Sequence, residues 1–401
     1  MTHTNPLRIL STLILLTFIA AACAPAATPQ PTPDMDAALT QAVATIQAGG
    51  TQTAEYVPPT ETPTPEPTIA PTATRDPNRT PPALPEGFTT SRLNPLDTPK
   101  TYIQDTCQVL KAKWDPNNAA PGTVVMTIMF HGIAKGEVNP AITGAYHDMT
   151  MKDFNRLMKD LKDLGFEAIT MQQMADFMYT NAKIPQRSVL LIVDDRKHRQ
   201  SFDDTFYQYY QDWGWKVVNS YITLDERPEL WQENAAVEAE GWVDHQAHGY
   251  VHNENITASS SEEYMRQELG KPFEMMQKYF NKTPIAYIWP GGSFTKRAAE
   301  IAREFKYQLG FTVNPRGPVM YNWVPLTDTA DPARPSFIPE GQVGDPLMTL
   351  PRYWSPDARN YLDTVRSISA EAIAYAEQNK AVELEYYDIV CAPTHGALSN
   401  P

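Results

Sequence analysis

Apolar residues recur along this chain in two alternating rhythms. Short unbroken runs, such as Val124-Val125-Met126-Thr127-Ile128-Met129-Phe130, have the length and composition of strands buried on both faces. Between them lie longer stretches with apolar positions three and four residues apart. In residues 151–164, Phe154, Leu157, Met158, Leu161 and Leu164 share one helical face, Thr150 can cap the start and Gly165 can stop the end. The same reading predicts strands at 167–170, 188–193, 215–222, 241–247, 284–289, 308–313, 347–353 and 385–392. It predicts helices at 171–179, 202–213, 260–280 with a kink at Pro272, 295–305 and 358–379. Strand and helix alternate, which indicates an α/β fold with a parallel sheet. About seven such units suit a distorted (β/α) barrel better than an open sheet, and a barrel carries its chemistry at the C-terminal ends of its strands.

The first part of the chain follows different rules. Arg8 precedes a short apolar run at 9–19, and Ala20-Ala21-Ala22-Cys23 follows, so residues 1–22 read as an export signal. The run is too short for a comfortable membrane span. Cys23 after small residues resembles the bacterial lipobox, with Ala20 where Leu is usual; this implies a lipidated, membrane-anchored protein on the outer face of the cell envelope. Ordinary cleavage with an incidental Cys23 is the alternative, and implies secretion. Residues 23–95 are rich in Pro, Thr, Ala and Gln and form an expected disordered, semi-rigid linker. The folded domain is expected at 96–355, with a C-terminal helix and tail at 356–401 packed upon it.

Among 401 residues the net charge is −14, which argues against nucleic acid or an anionic membrane surface as a partner. It suits a soluble domain held off a membrane and tolerates a neutral or cationic polymer as substrate; a monomer is expected. Cys107 and Cys391 are the cysteines left after Cys23. In an exported protein such a pair reads as a disulfide, with two buried free thiols as the alternative.

Three segments carry candidate chemistry. Asp194-Asp195 closes an apolar strand, His248 and His252 follow at a spacing of four, and Trp289-Pro290-Gly291-Gly292 closes another strand. An acidic pair alone is usually a solvated turn, and a histidine pair alone usually lies on the surface. Together, at strand ends, one carboxylate and two imidazoles make a three-ligand site for a divalent ion with positions open to water and substrate. The second carboxylate is then available as a base, and the set points to metal-assisted hydrolysis.

At these residues the chain resembles the NodB-like polysaccharide deacetylases, carbohydrate esterase family 4, over roughly residues 124–353. Phe130-His131-Gly132-Ile133 is similar to the family's opening strand. Val193-Asp194-Asp195 matches its acidic motif, His248 to His252 its His-Ser/Thr-x-x-His motif, and Leu350-Pro351-Arg352 a Leu-Pro-Arg segment. The resemblance implies a NodB-type barrel and removal of N-acetyl groups from a cell-wall or extracellular N-acetylglucosamine polymer. It implies Asp195, His248 and His252 as ligands of one divalent ion, commonly zinc. It implies Asp194 as general base, Gly291 N–H at the oxyanion, and Arg352 orienting Asp194. Trp289, Pro290 and His131 would line the substrate cleft, with Trp354 and Tyr353 as weaker stacking candidates. His395 or His245 would be the general acid. Arg196, Gly249 and Gly291 depart from the family pattern. An O-acetyl polysaccharide esterase and a catalytically silent carbohydrate-binding lipoprotein of the same fold are the alternatives.

Overall fold

The structure is a computed structural model, and it describes residues 79–136, 149–251, 254–332, 334–335 and 337–399. Cys23, the export signal and most of the linker lie outside these residues, as does His252.

Eight parallel strands make the central sheet. In chain order they are β1 (Val124–Phe130), β2 (Glu167–Ala168), β3 (Arg187–Asp194), β4 (Val217–Tyr221), β5 (Val243–Ala247), β6 (Ala286–Ile288), β7 (Leu309–Phe311) and β8 (Tyr353–Trp354). The spatial order is β7-β6-β5-β4-β3-β1-β8, with β2 beside the start of β3. The sheet curls into a half-barrel, and residues 350–354 bond to both of its edges. Leu350 N–H donates to Gly310 O beside β7 at 2.8 Å, and Thr312 N–H donates to Leu350 O at 2.9 Å. Four residues later the same segment pairs with β1, with Trp354 opposite Met129.

The pleat sorts the strand residues between two cores. Val124, Met126, Ile128 and Phe130 face the outer helices, where Phe154, Leu157, Met158 and Leu161 meet them. Val125, Leu190, Ile192, Val218, Ile288, Phe311 and Leu350 fill the interior of the curl. Both faces are therefore dry, which is why β1 and β3 read as unbroken apolar runs.

Several elements differ from expectation. The helix expected at 202–213 is two pieces, Arg199–Asp203 and Tyr207–Trp213, and the long helix Glu262–Phe280 runs through Pro272 as one element. Helices Thr106–Trp114 and Pro228–Glu240 were not anticipated. Residues 347–353 are largely a short 3-10 turn and irregular chain, with pairing limited to a single bridge from Leu350 to Phe311 and to Tyr353 at their end. The strand expected at 385–392 is helical: Leu362–Tyr386 continues into a π-turn at Tyr387–Cys391. Its β-prone side chains are overruled by packing, because Tyr387 and Cys391 are buried against Leu110 and Trp114. Residues 79–95, assigned to the linker on composition, lie on the folded domain. Trp323 Nε1 donates to Phe88 O at 3.0 Å, Thr90 Oγ1 donates to Glu371 at 2.6 Å, and Leu93 is buried.

Cys107 and Cys391 form a disulfide across 284 residues of chain. It joins helix Thr106–Trp114 to the end of the C-terminal helix. Cys391→Ala should therefore lower the unfolding free energy by roughly 2–5 kcal/mol in non-reducing urea titrations. Reduction of the wild type should lower it to about the same extent.

Candidate functional site

The last residue of β3, Asp194, is 2 % exposed and sits at the centre of the site. By the pleat it points into the curl, as do Ser220 at the end of β4, His131 after β1 and His248 after β5. Ser220 Oγ donates to Asp194 Oδ1 at 2.7 Å, and Arg352 Nη1 donates to the same oxygen at 2.7 Å. The other oxygen, Oδ2, faces His131 Nε2 at 3.8 Å and His248 Nε2 at 4.0 Å. Burial pushes the Asp194 carboxyl up, but Arg352, His248 and His131 outweigh it and hold the group well below the usual carboxylate range. Arg352 is itself fully buried and also donates from Nε to Thr312 O at 2.6 Å.

Asp195 turns the chain out of the strand with φ +72°, a left-handed conformation that is unusual for a residue with a Cβ. Asn219 secures this turn: its Nδ2 donates to Val193 O at 3.0 Å and Asp195 O at 2.9 Å. Sequence reasoning missed Asn219 and Ser220. The available signal was two adjacent polar residues inside the otherwise apolar run Val217-Val218-Asn219-Ser220-Tyr221. Arg196 does not adopt a positive φ, so the backbone there does not demand glycine. Its Nη1 bonds Leu224 O and lies 3.5 Å from Asp225 Oδ2. Lys197 Nζ stands 3.7 Å from Asp195 Oδ2, another contact that the sequence did not reveal.

His248 Nδ1 lies 2.7 Å from Ile288 O, an acceptor, so this nitrogen carries the proton. In the neutral ring, the form that binds a metal, Nε2 is then the lone-pair nitrogen, and it faces Asp195 Oδ1 at 4.0 Å. A carbonyl that fixes the tautomer of an imidazole is the usual support of a metal-ligating histidine. Two ligands on one ion, each about 2.1 Å from it, stand roughly 3–3.5 Å apart, so Asp195 and His248 fit a shared ion after a small adjustment. Among the described residues no group of three potential ligands is assembled. The expected third ligand, His252, lies outside them.

Other expected residues fall elsewhere. Trp289 is fully buried, with Nε1 donating to Met348 O at 2.8 Å, and Pro290 is buried beside it. Neither offers a face to a sugar. The exposed aromatic at the site is Trp354, 41 % exposed, with its ring centroid 5.9 Å from that of His131. Gly291 has φ +58°, and a Cβ there would meet the Asn255 amide at 2.7 Å, so the turn after β6 favours glycine.

His395 is not at the site. It faces Asp105, with Nε2 3.4 Å from Oδ2, at the start of the helix tied to Cys391. The chain after that helix pairs with Asn181 and Ala182, at the N-terminal edge of the sheet. The eight residues of β3 put roughly 25 Å between that edge and Asp194. His245 is also excluded as an acid. It points outward from β5, fully buried, with Nδ1 2.8 Å from Glu238 Oε2 and Nε2 2.8 Å from Asn234 Oδ1.

The chain is similar to known proteins. Residues 181–310 match the polysaccharide deacetylase family model. The matched region contains the acidic pair, the histidine pair and Gly291. A Bacillus subtilis (strain 168) protein named as a polysaccharide deacetylase, YxkH, is 22% identical over 190 residues. That alignment covers 47% of this chain and 64% of the relative, so it spans less than two thirds of the relative's length. The deacetylase PplD of Streptococcus pyogenes, solved with acetate, superposes with a TM-score of 0.47 at 19% identity over 60% of this chain and 98% of that one. A polysaccharide deacetylase from Bacillus cereus superposes with a TM-score of 0.45 at 17% identity over 60% of this chain and 69% of that one. Family model and curated relative together support a polysaccharide deacetylase relationship.

Replacing Arg352 by Met should cost about 3–5 kcal/mol, because it leaves Asp194 buried without its cation. The sign with pH follows from the depressed carboxyl. In the wild type this stabilisation is present above the ordinary aspartate value of 3.8 and is lost as pH falls toward the lower folded value. Urea titrations across pH 2–7 should show that acid-dependent loss in the wild type and a smaller one in Arg352→Met.

Proposed function

We propose that this protein is a metal-dependent deacetylase that removes N-acetyl groups from a cell-wall or extracellular N-acetylglucosamine polymer. The observation that carries the reading is the meeting of Asp194, Asp195, His131, His248 and Arg352 at the C-terminal rim of the parallel sheet, with Asp194, Asp195 and His248 inside the region that the family model matches. Asp195, His248 and His252 would hold one divalent ion, with zinc favoured by the imidazole–carboxylate donor set. Such an ion supplies Lewis-acid polarisation of the acetyl carbonyl and acidifies water.

The chain's own groups do the rest. Asp194, kept anionic by Arg352, takes the proton of the attacking water. Its depressed affinity for protons keeps it in the accepting form across the physiological range, at the expense of basicity. Gly291 N–H would donate to the developing oxyanion, the role that the resemblance implies for it. The C–N bond then breaks, acetate leaves, and the sugar amine takes a proton. With His395 and His245 committed elsewhere, His131 is the imidazole beside Asp194 suited to deliver it. Trp354 supplies an exposed ring for a sugar face.

An O-acetyl esterase would use the same groups, and the acidic pair and imidazoles do not separate amide from ester. A binding protein without turnover has less need of an anionic carboxylate at the centre of the cleft. The proposed setting is the outer face of the cell envelope, with Cys23 as lipid anchor and the Pro/Thr-rich stretch as tether. Lipid on the N-terminal peptide of the membrane fraction, by mass spectrometry, would support that setting; an unmodified Cys23 in secreted protein would refute it.

The zinc-loaded protein should release acetate from chitooligosaccharides, and Asp194→Asn should reduce that release at least about 100-fold while zinc remains bound. Acetylated xylan assayed in parallel decides the bond: acetate from xylan alone would make the protein an esterase. Full activity in Asp194→Asn would remove Asp194 as the base.

A further inference from the structure

Glu268 lies on helix Glu262–Phe280, outside the curl, and is fully buried. Among the described residues it makes no ion pair. Its carboxylate instead accepts from the backbone of the loop between the two histidines. Tyr250 N–H donates to Oε2 at 2.8 Å, and Val251 N–H donates to Oε1 at 3.0 Å. The carbonyls of that loop are held from the other side: Thr223 N–H donates to Gly249 O at 3.1 Å and Leu224 N–H donates to Tyr250 O at 2.8 Å.

The room for this carboxylate depends on residue 249. Gly249 has φ +84°, and a Cβ on it would stand 2.7 Å from Glu268 Oε2 and 3.3 Å from Pro290 Cγ and Tyr287 Oη. Ser or Thr, which the resembled motif carries at this place, would make the carboxylate shift from this position. Burial pushes the Glu268 carboxyl up to about 6, against the two N–H donors that favour its charged form. Desolvation of a buried carboxylate opposes folding, so its contribution is to be sought in the loop it holds.

We propose that Glu268 is a positioning residue: its carboxylate, admitted by Gly249, clamps residues 249–251 and thereby sets His248 for the ion. The part that concerns the ion rests on the function proposed above; the clamp itself does not.

The test uses the full chain with Glu268→Gln and Glu268→Ala. Amide exchange across 248–252 would be measured without metal, zinc affinity by competition with a chromophoric chelator, and global stability by urea. Exchange at Tyr250 and Val251 should quicken about tenfold or more in both variants. Zinc affinity should fall about 10–100-fold. The urea midpoint of Glu268→Gln should not fall, since a neutral amide replaces a buried charge. That outcome separates positioning from a merely structural role. Unchanged exchange in Glu268→Gln overturns the proposal, and so does faster exchange with wild-type zinc affinity. If Glu268→Ala does not fold, Glu268→Gln decides alone. If the wild type takes up no zinc, the metal reading fails, and exchange alone then upholds or overturns the clamp.

Discussion

The buried pair of Asp194 and Arg352 is the contact on which the site and the closure of the sheet both depend. Asp194 ends the central strand β3, and Arg352 lies in the segment that bonds to both edges of the curl. Each is an ion with almost no access to water. Either one alone would be an uncompensated charge in a dry interior, so the two parts of the chain must come together for either to be tolerated. The same bond sets the chemistry. It holds the carboxylate anionic, fixes its direction with the help of Ser220, and leaves Oδ2 facing His131 and His248.

Parallel pairing explains why these groups meet. All strands of the sheet run the same way, so the C-terminal ends of β1, β3, β4 and β5 lie together at one rim. Alternation along each strand then decides which side chains enter the curl. His245 and His248 are three residues apart and therefore point to opposite faces. One is absorbed by Glu238 and Asn234 among the outer helices, and the other reaches the acidic pair. Their chemistry is identical, and only their phase on the strand separates a packed histidine from a candidate ligand.

That distinction marks how far the sequence could be read. The apolar runs, their alternation with helices, and the position of Asp194-Asp195 at a strand end were legible because burial on both faces leaves a strong pattern. Arg352 was legible through the resemblance. Trp289 was misjudged because an aromatic at a strand end can turn either way, and here its indole N–H finds Met348 O inside the core. His395 was misjudged because the disulfide does bring the tail to the domain, but at the opposite edge of the sheet. Asn219 and Glu268 were invisible for a different reason. They bond backbone groups far away in sequence, and nothing in local periodicity encodes a tertiary hydrogen bond.

The two ends of the sheet carry opposite kinds of energy. At the C-terminal rim the chain accepts unfavourable terms: a left-handed Asp195, a buried carboxylate in Glu268, and charged groups crowded around Asp194. At the N-terminal edge it gathers ordinary stabilisation. The disulfide closes a long loop there, Trp114 and Leu110 pack on the C-terminal helix, and Trp114 Nε1 finds Glu383 at 2.8 Å. Residues 79–95 add their contacts to the same body rather than trailing from it. A rim that must hold charges in fixed directions cannot also be relaxed, and the strain it carries has to be offset elsewhere in the fold. The gathering of the functional charges at one end and of covalent and apolar anchoring at the other is what lets the curled sheet hold that rim in place.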